Sequence, residues 1–384
     1  MKGSIRYQIL DYRHLIVLMT LLLSCAQNTS LVEPTAESSF DLKVKFAPQE
    51  LKSTNGMINI MYSLEASNFE TDGYKLRDFQ VVNSSNNKIL CSISDTNKYL
   101  VILKPDNVIM REDLYYYPQN AHLNYIFLVD LISDPSQVPQ RIKHKLILTK
   151  NSKQWIVEGE EVSVSKAAVP LFSPPLKGEL FMSANSTTLE NNHHPKICVT
   201  YKGNTTIPER YCIDWNKIDA SGNTYNGDPG VCENWYIYGQ NVYAVSIGEV
   251  VSVNDGMPDQ FPVGTKSADL TMFNGIGNSV TLAVPGGYVT YGHMIKNSIA
   301  VKIGQSVSRG QLIGKVGNSG NSDAPHLHIG LHTDFPYYIS EGLPYCYDSI
   351  EKIGSVENNS IKWLPSPQIH TNEFVENYGI YNLK

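Results

Sequence analysis

The sequence has no excess of basic residues, since 31 Lys+Arg against 37 Asp+Glu give a formal net charge of −6. This charge balance gives no reason to expect nucleic acid as a partner. Charged residues are also scarce, at 18% of the 384 residues, which excludes a disordered charged polymer. Because hydrophobic residues make up 42%, the chain can bury the cores of roughly two or three globular domains.

Long apolar runs are missing after the first 24 residues, and the run near the start is too short to span a bilayer. Lys2, Arg6 and Arg13 precede this run, which covers 15–23 and is interrupted by Thr20. Basic residues followed by a short apolar run are typical of a secretory signal peptide. We therefore expect residues 1–24 to be removed on export.

The run ends in Leu22-Leu23-Ser24-Cys25, which resembles the lipobox of bacterial lipoproteins. The resemblance implies lipidation of Cys25 and anchoring in a bacterial membrane, with the protein facing the periplasm or cell wall. Residues 25–38 would then be a tether. The alternative is a plain signal peptide in which Cys25 has no role.

Strand-like periodicity begins directly after this tether. Phe40-Asp-Leu-Lys-Val-Lys-Phe46 alternates apolar and charged residues, as in a half-buried strand. Similar β-rich runs follow, separated by Asn, Ser, Asp and Pro clusters, and 111–117 is a possible short helix. These runs lie at 57–64, 79–82, 99–103, 125–131 and 144–149. The sequence predicts a mostly β protein whose residues 39–166 form a β-sandwich-like accessory domain, acting as a spacer or binding module.

Proline then divides the chain. Residues 167–176 contain three prolines and predict an interdomain linker, because proline fixes φ and lacks the N–H that a sheet needs. The second domain is expected over 177–350. We assign 351–384 to a carboxy-terminal tail.

Histidine is concentrated in the second domain. Gly317-Asn-Ser-Gly-Asn-Ser-Asp-Ala-Pro precedes His326-Leu-His328-Ile-Gly-Leu-His332, which predicts a turn leading into a strand. Alternate side chains of a strand share a face, so His326, His328 and His332 are expected to point the same way. Neutral imidazoles presented together suit zinc, although a lone His-x-His is more often two surface residues.

Three blocks around this strand resemble the lysostaphin and LytM-type zinc metalloendopeptidases, which cut peptide bridges in bacterial cell walls. They are 239–251, 277–294 with its Tyr-Gly-His293 ending, and 301–317, which leads into the His-Leu-His strand. The resemblance implies a β-sheet core like the duplicated hybrid motif, a Zn²⁺ cofactor and a peptidoglycan peptide as substrate. It covers about a quarter of the chain.

The resemblance also assigns residues. It makes Asp214 and His328 metal ligands, and it makes His293 and His326 the pair that orients or deprotonates the attacking water. The family has a further ligand His four positions before the Asp, where this chain has Arg210. Arginine is always protonated and cannot ligate a metal, and on a strand its charge would lie on the face of Asp214. A catalytic zinc site needs a third protein ligand.

His194 is a candidate for this third ligand. If 197–201 and 211–215 form a hairpin that places Cys198 opposite Cys212, then Lys196 faces Asp214, and His194 is one diagonal step away. His193-His194 is equally consistent with a surface pair at the start of a strand.

Two functions remain open on the sequence. The first is an exported zinc metalloendopeptidase that hydrolyses peptide bonds of peptidoglycan cross-links. The alternative is a metal-free, inactive relative that binds the cell wall or regulates a wall hydrolase. A biotinyl or lipoyl carrier domain is disfavoured. Such domains carry a lysine flanked by Met, whereas Lys296 follows Ile295. We favour the peptidase because a pure binder would not need His293 and His326 beside the two ligands.

The cysteines fit an exported, oxidising setting, where disulfides are allowed. Five cysteines follow Cys25, so at least one is unpaired. Cys198 with Cys212 and Cys232 with Cys346 are the pairs to test, which leaves Cys91 alone.

Overall fold

The structure is a computed structural model that describes residues 41–67, 73–94, 100–103, 124–186, 188–189, 192–201 and 204–384. Four sequence predictions lie outside these residues: the signal peptide 1–24, the lipid site Cys25, the tether 25–38 and the possible helix at 111–117. Within the described ranges, no helix is long and apolar enough to cross a membrane.

The first part of the chain is a β-sandwich, as predicted. Its strands are β1 (Asp41–Val44), β2 (Leu51–Lys52), β3 (Ile58–Ser67), β4 (Lys75–Asn83), β5 (Ile89–Ile93), β6 (Leu100–Leu103), β7 (Asn124–Ser133), β8 (Arg141–Lys150), β9 (Lys153–Glu158) and β10 (Val162–Ser163). One sheet has the order β1, β3, β7, β6, and the other has the order β10, β8, β4, β5; β2 pairs with β3, and β9 with β8. The β-rich runs found in the sequence thus coincide with strands wherever they are described.

The two sheets pack face to face through large apolar side chains. The rings of Phe79 on β4 and Phe127 on β7 stack with centroids 4.4 Å apart, in a core that includes Ile60, Tyr62 and Leu146. The sheet that contains β3 and β7 is buried on its other face as well. There, residues such as Met61 and Leu128 belong to the core of the second half of the chain.

His144 links the two sheets of the sandwich. Its Nε2 lies 2.7 Å from the Tyr62 hydroxyl, and its ring is 1% exposed. Burial lowers the pKa of His144 from 6.5 to about 4, because the charged imidazolium would have to leave water.

We expect His144 to make the protein sensitive to acid. Its pKa is lower in the folded chain than in the unfolded chain, so its contribution is complete above about pH 6.5 and is lost as the pH falls toward 4. The shift corresponds to about 3 kcal/mol. Urea unfolding at pH 7 and pH 4.5 measures it, with His144→Gln as the matched control. The native protein should lose about 2–3 kcal/mol more than the variant between these pH values, and equal losses would refute the assignment.

The second half of the chain is also almost entirely strand. Its strands are β11 (Leu171–Phe172), β12 (Gly178–Ala184), β13 (Val199–Tyr201), β14 (Asn204–Thr206), β15 (Ile213–Lys217), β16 (Asn241–Tyr243), β17 (Gly248–Asn254), β18 (Asn278–Val284), β19 (Gly287–Met294), β20 (Ser306–Val307), β21 (Leu312–Lys315), β22 (Leu327–His332), β23 (Gly342–Leu343), β24 (Cys346–Tyr347), β25 (Ile350–Glu357), β26 (Ser360–His370) and β27 (Gly379–Leu383).

Short 3-10 helices connect some of the strands in both halves of the chain. In the described residues they are η1 (Pro135–Gln137), η2 (His194–Lys196), η3 (Cys232–Asn234) and η4 (Tyr337–Ile339).

One large sheet organises this half, in the order β20, β17, β18, β19, β22, β15, β12, β27, β25, β26, with β23 paired to β22. Its central strands β15, β19 and β22 are almost fully buried. They pack over a core of large aromatic and aliphatic side chains, among them Trp215, Tyr291 and Tyr345. The three strands are adjacent, so residues near their ends lie close together. This sheet is the β-sheet core that the sequence predicted.

Two segments that were expected to lie outside the folded domains are part of the sheets and core. Residues 167–176 were predicted to be a linker, but β11 pairs with β24, and Phe172 and Leu176 are buried in the main core. Residues 351–384 were predicted to be a tail, but they hold most of β25 together with β26 and β27, and β27 lies between β12 and β25. Both segments are integral parts of the fold, because they pair with other strands and bury residues such as Phe172, Phe374 and Tyr381.

The five described cysteines are all free, which contradicts both proposed disulfides. The pairing of Cys198 with Cys212 required a hairpin between 197–201 and 211–215. Instead, β13 pairs with β14, while β15 lies between β12 and β22. Cys232 and Cys346 lie in separate elements, η3 and β24.

Candidate metal centre

Strand register brings the predicted ligands together. Asp214 on β15 lies directly opposite His328 on β22, and Gly292 on β19 lies opposite His328 on its other side. His293, the next residue on β19, therefore reaches the same end of the sheet. His326 is immediately before β22. The structure thus brings together four predicted site residues, Asp214, His293, His326 and His328.

Asp214 is the centre of the cluster. Its Oδ1 lies 3.0 Å from His328 Nδ1 and 3.4 Å from His326 Nε2, and its Oδ2 lies 3.2 Å from His194 Nε2. The Asn185 side-chain amide donates to Oδ2 over 2.7 Å. Burial opposes the charged carboxylate, but the facing imidazoles of His194 and His326 hold the pKa of Asp214 well below its usual value.

His194 reaches the cluster, but not through the hairpin that the sequence suggested. It lies in η2, within the segment 185–196 that leaves β12 and folds over β15. The His194 Nδ1 is 3.0 Å from the Asn185 carbonyl oxygen and 3.3 Å from that of Cys212. His194 is thus buried beside Asp214 rather than on the surface, and the register argument that proposed it was wrong.

Backbone carbonyls fix the protonation of three imidazoles. Like that of His194, the Nδ1 of His293 and of His326 each lies 2.8 Å from a carbonyl oxygen, of Ser319 and Ala324 respectively. A carbonyl can only accept, so each Nδ1 carries a proton and, in the neutral ring, Nε2 keeps its lone pair. This orientation by outer partners is common for metal-binding and catalytic histidines.

His293 has an uncommon backbone conformation, with φ at +58°. A side chain with a Cβ rarely adopts this left-handed region, and such strain is concentrated at functional sites. The conformation follows a register shift between β18 and β19 after Asn278. It places His293 with its ring centroid 4.6 Å from that of His326.

The cluster fits a metal ion. His194, Asp214 and His328 each offer a ligand atom, and these atoms all lie within 4.8 Å of one another; His293, His326 and His328 meet the same test. The Nε2 of His328 is buried without a hydrogen-bond partner, which leaves Nδ1 as its polar contact. Two imidazoles and a carboxylate are a typical ligand set for a catalytic zinc ion.

Electrostatics also favours a cation at this position. Burial opposes the charged form of His194, yet Asp214 and Glu209 raise its pKa to about 9. His293 is further from the carboxylates, and burial together with His326 and His328 holds its pKa well below the usual value. The site therefore attracts positive charge beside Asp214 and keeps a neutral base at His293.

Arg210 does not approach the cluster, contrary to the sequence expectation. It precedes β15 instead of lying on it, and its Nε donates to Glu341 over 2.7 Å while a terminal nitrogen donates to Ser63 over 2.9 Å. The guanidinium is neutralised by Glu341, so it does not compete with a metal at Asp214. His194, and not the residue at position 210, lies beside Asp214.

His332 shares a strand face with His328 but lies beyond Gly330, buried against the Tyr337 ring at 5.6 Å. Burial lowers its pKa to about 3. Among the described residues, His332 belongs to no group whose ligand atoms could converge on a metal. His332 therefore shares the strand face that the sequence predicted, but it takes no part in the cluster.

The cluster forms the floor of an open cleft of about 570 Å³. The cleft walls include Met272 and Ile276 on one side and Tyr337 and Tyr338 on the other. Phe273 and Tyr338 contact each other edge to face, with centroids 5.2 Å apart. The cleft thus gives an extended ligand access to the cluster.

Sequence reasoning missed several groups of the site. Glu209 lines the cleft 3.8 Å from His194 Nε2, and Asn185 donates to Asp214. The carbonyls of Ser319 and Ala324 orient two imidazoles. Glu209 could have been noticed as an acid next to Arg210 and five residues before Asp214, but no sequence signal identifies backbone carbonyls.

Comparison with protein families agrees with this site. Residues 236–337 match the model of Peptidase family M23. The matched range includes His293, His326 and His328, while His194 and Asp214 precede it. Residues 236–337 are therefore similar to the peptidases of this family, which depend on zinc.

Several solved structures are similar to parts of this chain. The catalytic domain of lysostaphin from Staphylococcus simulans shares 26% identity, over 32% of this chain and 86% of that chain, with a TM-score of 0.20. Csd3 from Helicobacter pylori shares 14% identity, over 69% and 76% of the two chains, with a TM-score of 0.25. A zinc containing peptidase from Vibrio cholerae shares 13% identity, over 55% and 82%, with a TM-score of 0.19.

Proposed function

We propose that this protein is an exported zinc metalloendopeptidase that hydrolyses peptide bonds in peptidoglycan. The observation that carries the proposal is the convergence of His194, Asp214 and His328 at the floor of a cleft, beside two further imidazoles. Three protein ligands are the usual number for catalytic zinc, and they leave a position open for water or substrate.

His194, Asp214 and His328 would hold the ion. Bound zinc would supply a Lewis acid for the scissile carbonyl and lower the pKa of water to about 7. Asn185 keeps Asp214 oriented through its amide. The carbonyls that contact the Nδ1 of His194 leave its Nε2 lone pair available for the ion beside Asp214.

His293 and His326 would handle protons. Each has its Nδ1 proton fixed on a carbonyl, so only Nε2 is available to the cleft. Burial and neighbouring imidazoles keep His293 neutral, whereas Asp214 raises the pKa of His326 despite burial. A neutral base next to a more basic imidazole is suited to accepting the proton of water and donating one to the leaving amine.

Location and substrate follow from the sequence. A signal peptide over 1–24 and a lipid on Cys25 would place the domain at a bacterial membrane, facing the periplasm or cell wall. There the peptides of peptidoglycan would be its substrate. The metal-free alternative depended on a charged Arg210 in the site, and Arg210 pairs instead with Glu341.

We expect the purified protein to contain about one zinc per chain and to release new amino termini from purified peptidoglycan. His293→Ala should keep its zinc and lose roughly 100-fold or more of its activity, because it removes the base but no ligand. Asp214→Ala should lose both zinc and activity. Metal analysis and amine release measure these outcomes.

Two other experimental outcomes would contradict this proposal in different ways. A native protein without zinc that still binds sacculi and releases no amine would be a wall-binding or regulatory protein. Zinc binding without cleavage of peptidoglycan would instead refute only the substrate.

A further inference from the structure

Two of the proposed ligands, His194 and Asp214, lie outside β22. The segments that carry them lie against the amino-terminal sandwich. The first is 185–196, which carries His194. The second is 207–214, which leads to Asp214. Asp130 on β7 holds the first segment, and Met61 on β3 holds the second. These two residues face each other in register.

Asp130 holds the first segment. Its Oδ2 accepts the Leu189 backbone N–H over 3.1 Å, and the Thr188 side chain also hydrogen bonds to the carboxylate. The Leu189 side chain is buried in the same core as Met61 and Leu128. Burial raises the pKa of Asp130 to about 6, so the chain keeps a costly carboxylate at this position.

Met61 and its neighbour Ser63 hold the second segment. The Tyr211 hydroxyl donates to the Met61 carbonyl over 2.6 Å, and Arg210 donates to the Ser63 hydroxyl over 2.9 Å. Tyr211 is 4% exposed and lies three residues before Asp214. The sandwich thus fixes the approach of β15 from one side.

The His194 segment has little internal support. Within the segment, the Asn192 amide donates to the Ser186 carbonyl over 3.0 Å, and the Asn192 Oδ1 accepts the His194 N–H over 3.0 Å. Besides Asp130, its partners elsewhere in the chain include Asp214, Cys212 and Asn377, whose Oδ1 accepts the Ser186 N–H over 3.4 Å. No described residue between 185 and 196 is in a strand. A ligand on such a segment depends on outside anchors for its position.

We propose that the amino-terminal sandwich is a structural part of the metal centre, and that Asp130 is the positioning residue that holds the His194 segment over Asp214. The inference rests on the proposed zinc site. It gives the sandwich a role other than that of a spacer. Asp130 acts through the backbone of Leu189 and does not contact the metal position.

The test compares zinc affinity of the full-length protein, measured by chelator competition, with that of Asp130 variants. Asp130→Leu should raise the zinc dissociation constant about tenfold, as the loss of an outer-shell partner does. Asp130→Asn should stay within about threefold, because its amide oxygen still accepts the Leu189 N–H. The visible spectrum of the cobalt(II)-loaded Asp130→Leu protein should also change, which a purely structural effect elsewhere would not cause.

Asp134→Ala is the matched control, because this exposed carboxylate caps η1 four residues further on and lies away from 185–196. It should keep native zinc affinity. If Asp130→Leu does not fold, the zinc affinity of Thr188→Val is measured instead. This variant removes only the side-chain donor to Asp130. Native affinity and cobalt spectrum in the deciding variant would overturn the inference, whereas a native protein without zinc would overturn the proposed function itself.

Discussion

Replacing His194 with alanine is expected to weaken zinc binding at least about 100-fold, more than the loss of an outer-shell partner. The variant loses one of three converging ligand atoms, and Asp214 and His328 are too few for a stable catalytic site. The Nδ1 contacts of His194 with two carbonyls show that its ring is oriented for this role. Peptidase activity should fall to background together with zinc content.

His193→Ala is the matched control for this prediction. His193 is adjacent in sequence and exposed, and its ring centroid is 4.5 Å from that of His194. The control should keep about one zinc per chain. An unchanged zinc content in His194→Ala would show that His194 is not a ligand, and the site would then need another third group.

Arg210→His is expected not to restore the ligand of the family pattern. Position 210 faces Glu341 and Ser63, away from Asp214, so the double variant His194→Ala with Arg210→His should bind zinc no better than His194→Ala alone. Both partners of the Arg210 to Glu341 pair are 3% exposed. Removing the guanidinium in Arg210→Met leaves a buried carboxylate without its partner and should cost about 3–5 kcal/mol of unfolding free energy.

Arg141→Met supplies the matched control for stability. Arg141 also pairs with a glutamate, Glu161, at 2.8 Å, but its side chain is 65% exposed. Such a pair contributes less than about 1 kcal/mol. Urea unfolding of the three proteins measures the difference. Recovery of zinc binding in the double variant would show that position 210 can reach the metal, contrary to the structure.

Much of the fold could be predicted because it depends on local pattern. Alternation in 40–46 and the apolar runs around 144–149 identify strands directly, since side chains of a strand alternate between two faces. Asp214, His293, His326 and His328 were found through motifs on neighbouring strands. Their convergence depends only on the order of those strands, which the resemblance supplied.

The rest depends on contacts between distant segments. His194 reaches Asp214 from a 3-10 turn, so no strand register could have predicted its position. The charge of Arg210 is matched by Glu341, 131 positions later. The burial of 167–176 and of 351–384 depends on pairing with strands far away, and proline or polar residues in these segments suggested a linker and a tail.

The position of β27 has a consequence for how the protein folds. Residues 379–383 lie between β12 and β25 and, among the residues that the structure describes, connect the Asp214 side of the large sheet to β25 and β26. β12 begins about 200 residues earlier, so its pairing with β27 closes a very long loop, which is slow because the entropy of closure must be lost first. During synthesis, β12 keeps an unpaired edge until these residues emerge. Assembly of the large sheet therefore has to wait for a strand that is made about 200 residues after its partner.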